Sequence, residues 1–181
     1  DDPYSQLTAQ LLKPLVDTYR IEIKSYLVSP PDNAAAPERE RLARFAIDDA
    51  ALLARAYGLK FPAPEAEPQT FEPGGDALRK RLGHYLGAMF YFEGEWYWGV
   101  DRLHFLEERL HAAGLATTKG PLKPIAPAKD VTLAPAKSTG ATLDYFLSFR
   151  SPYTYLAVPR VRKLAEHYGA NLRLRFVLPM V

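Results

Sequence analysis

Few residues of this chain could carry chemistry, and the best placed of them stand at helix starts. Ser151 precedes Pro152 and Tyr153 at the head of a segment with helical spacing, directly after a strand-like run from Thr142 to Phe149. A helix N-terminus presents unpaired N–H groups and a partial positive charge, so a hydroxyl there can join a cradle for an anion such as a thiolate. The same Ser before Pro also suits an ordinary N-cap, and both readings stand. Asp101, just ahead of RLHFLEERL, has the same two readings, since a carboxylate caps a helix with or without a ligand. Tyr153 and Tyr155 either line a pocket for an aromatic substrate or pack at the helix start. His84, His104, His111 and His167 show no metal-ligand spacing with carboxylates, so no metal site is expected.

The chain holds no Cys in its 181 residues. Dithiol exchange, a thiolate metal site, a disulfide scaffold and a Cys nucleophile are therefore excluded within these residues. A composition of 48% apolar and 24% charged residues suits a chain with a core rather than a disordered one. The net charge of +2 makes no general case for nucleic acid or an anionic membrane. No apolar run approaches the roughly 20 residues of a membrane span. No nucleic-acid or membrane partner is expected, and the location expected is cytoplasmic. The chain opens on DDPYSQL and ends on LRLRFVLPMV, which reads as a piece cut from a longer protein.

The elements that must position these residues follow from periodicity. Tyr4 to Tyr19 reads as one helix capped by Asp2, with Pro14 bending it or marking its last turn. Ile21 to Val28 reads as a strand, and 29–37 as a loop. Glu38 to Tyr57 reads as a helix with Leu42, Phe45, Ala46, Leu52, Leu53 and Ala56 inward. Residues 60–75 are Pro-rich and aperiodic, and a helix is expected from Asp76 to about Gly87. Met89 to Gly99 reads as a hairpin about Glu93-Gly94, its aromatic residues packed in a sheet rather than stacked on bases. Asp101 to Ala113 reads as a helix closed by Gly114. Residues 115–141 read as a Pro- and Lys-rich linker, and 142–177 as strand, helix, strand.

An internal repeat underlies this order. Residues 2–19 lie ungapped on 151–168, matching Pro3 to Pro152, Tyr4 to Tyr153, Leu7 to Leu156, Leu15 to Leu164 and Tyr19 to Tyr168. With a two-residue gap, IEIKSYL also meets LRLRFVL. Asp2 thus takes the place of Ser151 in the first copy.

LDYFLSFRSPYTYLAVPRVRKLAEHYGANLRLRFVL resembles the start of DsbA-like thioredoxin domains, above all the branch of 2-hydroxychromene-2-carboxylate isomerases and kappa-class glutathione transferases. FYFEGEWYWGVDRLHFLEERL is similar to that family's closing hairpin and last helix, joined through G-x-D-R-L. The resemblance implies an α/β, thioredoxin-like fold with a helical insertion, followed by the β-α-β start of a second copy. The expected domains are 1–114, lacking its first strand, a linker at 115–141, and 142–181. The linker is long enough for the strand at 142–149 to complete the first copy's sheet instead.

The resemblance further implies glutathione as cofactor. Ser151 would be the catalytic position that steadies its thiolate, Asp101 would help hold its glutamyl end, and Tyr153 would stand with Asp101 among the cofactor-binding residues. The partner implied is a small-molecule substrate, with an aromatic carboxylate among the candidates, and a homodimer is allowed for. The function implied is that of a glutathione-dependent isomerase or transferase. The rival is a non-catalytic thioredoxin-fold binding or scaffold module, favoured for the first copy by Asp2 and by the absence of the family's cis-Pro near Ala88.

Overall fold

Pro14 decides the shape of the N-terminal segment. In the computed structural model, which describes residues 2–32, 38–63, 70–129, 138 and 140–177, the expected single helix is two: α1 (Pro3–Ala9) and α2 (Leu12–Thr18). Proline has no N–H for the Gln10 carbonyl one turn back, and its ring crowds that carbonyl. The helix gives way there, with the Leu11 N–H bonding the Thr8 carbonyl at 3.0 Å. Gln10 fixes the break, donating to the Lys60 carbonyl at 3.0 Å and accepting from the Lys60 N–H at 3.1 Å.

Ile21 to Val28 forms no strand. One parallel bridge, Tyr26 to Glu72, is its only ladder among the described residues. Ile21 and Ile23 pack on the core as their alternation predicts. Alternation reports which side faces the core, however, and a strand also needs a neighbour to pair with. Gly75 holds this extended segment close, because a Cβ there would overlap the Leu27 carbonyl.

Helix α3 (Arg39–Tyr57) ends on Gly58 in the left-handed conformation, as expected. Its inward face follows the expectation at Ala46 and Leu53 and departs from it elsewhere. Ala46, Ala50 and Ala54 are buried, while Leu42, Phe45 and Leu52 are more than half exposed. The small side chains one turn apart let α1 lie close against the helix, and the large ones fall to the side of that contact. Helix α4 (Gly75–Arg81) stops at Leu82, well short of Gly87.

Strands β1 (Met89–Phe92) and β2 (Glu95–Trp98) pair antiparallel, with Phe92 opposite Glu95. Glu93 and Gly94 both have positive φ, 44° and 92°, the signature of a type I′ turn whose twist matches that of the strands. Helix α5 (Leu103–Ala112) packs on β2. Leu7, Leu11, Leu15, Tyr19, Ala50, Ala54, Tyr97, Val100, Leu103, Leu106 and Leu110 form one buried cluster with Ala126.

Ala126 lies in the stretch expected to be a linker, and residues 115–129 are in fact packed. Tyr19 and Ala116 form an antiparallel bridge. The N–H groups of Ile125 and Ala126 donate to the Glu107 carboxylate at 2.7 and 3.1 Å. The first compact unit accordingly runs from Asp1 to Lys129 and the second from Asp130 to Val181. The remainder of the expected linker falls largely outside the described residues, as do 33–37 of the first loop, 64–69 of the Pro-rich stretch and 178–181.

The second unit is a β-α-β motif. Strands β3 (Thr142–Leu147) and β4 (Asn171–Phe176) are parallel, joined through α6 (Pro152–His167). Leu143, Tyr145 and Leu147 pair with Leu172, Leu174 and Phe176 on one face. α6 lies on that face, where the Tyr145 hydroxyl donates to the Thr154 carbonyl at 3.2 Å. The opposite face carries Asp144 between Arg173 and Arg175, both at 2.8 Å. Among the described residues β3 pairs with β4 and β1 with β2, in a two-stranded sheet each. The architecture is mixed α/β with two small sheets.

Candidate functional site

Ser148 to Ser151 turns the chain from β3 into α6, with the Ser151 N–H on the Ser148 carbonyl at 3.1 Å. Ser151 occupies the N-cap in extended conformation, φ −99° and ψ 118°, and Pro152 is the first helical residue. Its hydroxyl makes no capping hydrogen bond. The N–H groups of the first turn have no intrahelical acceptor by construction, so hydroxyl and amides together form a donor set at the carboxyl end of a parallel strand. Tyr153 stands beside it and is 80% exposed, so it is not packed at the helix start. Phe149 is 85% exposed, and its ring stacks on Phe176 at 5.1 Å.

The basic residues near this motif are partly committed. Arg173 and Arg175 both hold Asp144, and Arg162 pairs with Glu166 at 3.5 Å. The hydrogen bonds from Arg173 and Arg175 bring the Asp144 carboxyl down to about 2.

Asp101 is in the other unit and does not cap α5. The N-cap there is Arg102, without a side-chain bond, and Asp101 instead pairs with Arg102 at 3.2 Å. The turn Gly99–Arg102 places Asp101 one residue before the cap, so its oxygens miss the first-turn N–H groups. Asp101 gathers instead with the start of α1. Burial, the hydrogen bond to Asp49 at 2.9 Å and the charges of Asp49, Asp2 and Asp101 push the Tyr4 hydroxyl up to about 12. The Tyr4 ring meets Trp98 edge-on at 6.0 Å, and Arg102 lies 5.2 Å over Trp98.

Asp2 caps α1 fully. Its carboxylate accepts the Ser5 N–H at 2.7 Å and the Ser5 hydroxyl at 2.6 Å. The loop before β1 faces this cap, for a Cβ on Gly87 would lie 3.8 Å from Asp2 Oδ2. Ala88, the position where the family resemblance wants a cis-Pro, has φ +51°, a strained conformation for a residue with a Cβ. Asp101 is thus near enough to act on Tyr4, the residue that aligns with Tyr153.

Two groups escaped the reading of the sequence. Asp49 on α3 is one; its helical position gave no sign of Tyr4. Glu107 is the other, and it did leave a signal. It sits at helical spacing from Leu103 and Leu110 on the apolar stripe, where a carboxylate needs partners. It is fully buried, and the Tyr19 hydroxyl donates to it at 3.2 Å. Burial and the Glu107 charge push the Tyr19 hydroxyl up.

Among the described residues no group of His, Asp and Glu is placed to hold a metal ion, and no helix is long and apolar enough to cross a membrane. No family model matches the chain, and no curated protein or solved structure matches it.

Proposed function

We propose that this chain belongs to a tandem, DsbA-like thioredoxin-fold protein that acts as a glutathione-dependent isomerase or transferase, with the second copy as the catalytic one. The observation that carries this reading is Ser151: an N-cap hydroxyl left out of the cap, at the start of a long helix behind a parallel strand. Its donor and the first-turn amides suit a thiolate, which is an acceptor and prefers the positive end of a helix. Glutathione, when bound, supplies the thiol that adds to an unsaturated substrate and leaves again. These 181 residues hold no Cys, so a thiol used at Ser151 comes with such a ligand or from outside them. Ser151 would orient and hold the sulfur as an anion, and the exposed rings of Tyr153 and Phe149 would border an aromatic substrate.

The first unit supports the same ancestry with a different outcome. Gly87 and Ala88 face the start of α1 as a cis-Pro loop would face a thioredoxin active site. The Asp2 carboxylate, however, occupies the cap and would repel a thiolate. Asp101 acts there on Tyr4, beside Asp2 and Asp49, so it would serve glutathione only if a cationic amino group came to these carboxylates. This favours the second reading, a non-catalytic binding or scaffold module, for the first unit alone.

Calorimetric titration with glutathione tests the proposal. Ser151→Ala should weaken binding by about 10-fold or more, the effect of losing a hydrogen bond to a charged group. Equal affinity in both proteins, or no binding by the unaltered chain, would reject it.

A further inference from the structure

We propose that residues 118–129 form a strap on the first unit, clasped by the buried Glu107 carboxylate and able to open while the rest of the unit stays folded. The proposal is independent of the reading of Ser151. The strap contains neither helix nor strand. Pro121, Pro124 and Pro127 remove three N–H donors from it, and only Ala126 among its residues is buried. Upstream the chain is well tied. Arg20 donates to the carbonyls of Gly114 and Ala116, and the Thr117 N–H and hydroxyl both donate to the Thr18 carbonyl at 2.9 Å. Among the described residues, the hydrogen bonds of the strap beyond Thr117 run to one side chain, beside the packing of Ile125 and Ala126 on the buried cluster. Glu107 Oε1 takes the Ile125 N–H and Oε2 takes the Ala126 N–H. Past these, Lys129 rests 4.8 Å over the ring of Tyr57.

A carboxylate on the apolar stripe of α5 is tolerable only while donors face it. The strap supplies two of them and also covers the group. Lifting the strap therefore admits water to Glu107 at the moment its amide donors leave, and no buried charge is stranded. An apolar plug of the same size would have no such compensation. Opening would release the chain from Lys129 back to Thr117. That frees 12 residues of tether, about 40 Å when fully extended.

Amide hydrogen exchange on the whole chain, followed through low urea concentrations, tests this. The Ile125 and Ala126 amides should be protected, yet exchange about 10-fold or more faster than the slowest amides of α5, through an opening insensitive to urea. In Glu107→Gln their exchange should rise a further ~10-fold, while amides of α5 and of the β1–β2 hairpin stay within about 2-fold. The proposal is overturned if the Ile125 and Ala126 amides open only with α5, or if Glu107→Gln leaves them unchanged or accelerates every amide alike. Should that variant not fold, the urea series on the unaltered chain still decides whether a separate opening exists.

Discussion

Asp2 and Ser151 stand at equivalent places when residues 2–19 are laid on 151–168, yet they finish their helices differently. The two backbones enter alike, with ψ of 123° and 118° and a Pro as first helical residue. Asp2 folds back onto Ser5 and closes its helix, whereas the Ser151 hydroxyl makes no capping hydrogen bond. The same local geometry therefore yields a sealed end in one unit and an open donor set in the other. The helices behind them differ too. α1 is cut short one turn ahead of Pro14, but α6 runs on through Pro159. The surroundings follow the same division. The first unit buries Leu7, Leu15, Leu103 and Leu110 almost completely, while in the second only Leu147 and Ala165 are buried among the described residues. The lesson is that two helices can share the geometry of their entry and still differ in how the helix end is satisfied.

The comparison can be broken most forcefully in the core. Leu103→Ala removes a fully buried side chain and should cost the first unit about 2–5 kcal/mol, measured by urea unfolding. A cost well below 1 kcal/mol would mean that the two units are equally loose. Asp2→Ala comes next. Losing a cap that binds both the Ser5 N–H and hydroxyl should cost about 1 kcal/mol by the same assay. Acid titration sharpens the contrast from the second unit. Asp144 is held below its ordinary 3.8, so its contribution is present above pH 4 and fades as pH falls through about 4 to 2. In Asp144→Asn this acid limb should flatten for β3 and β4 signals in NMR spectra and persist elsewhere. The smallest effect belongs to Ser151→Ala, whose hydroxyl caps nothing; its stability should stay within about 0.5 kcal/mol. A loss like that of Asp2→Ala would show that Ser151 is a cap after all.

Much of the candidate site could be read from residue order because it is local. Ser151 and Pro152 mark a helix start through their own φ preferences, and Glu93-Gly94 fixes the hairpin through a turn that needs positive φ. Asp2 was legible as a cap for the same reason. Asp101 was not, because one residue of phase between a turn and a helix start decides whether a carboxylate reaches the N–H groups. The exposed setting of Tyr153 depended on what the second unit packs against the first turn of α6. Periodicity failed at α3 in a similar way. Leu42, Phe45 and Leu52 share a stripe with the right spacing, but α1 docks on the alanines beside it.

What the chain determines by itself is what neighbouring residues settle among themselves: the helix break ahead of Pro14, the Asp2 cap, the I′ turn, the β-α-β order, and the lack of a Cys among these 181 residues. Tertiary structure alone decided the pairings between distant segments. It left 21–28 with the single bridge of Tyr26 to Glu72 among the described residues, set the charges of Asp49, Asp2 and Asp101 on Tyr4, and drew Ile125 and Ala126 onto Glu107. The physical reason is the same in each case. A hydrogen-bond donor, a buried charge or an apolar face states what it needs, and only the folded chain settles which distant residue supplies it.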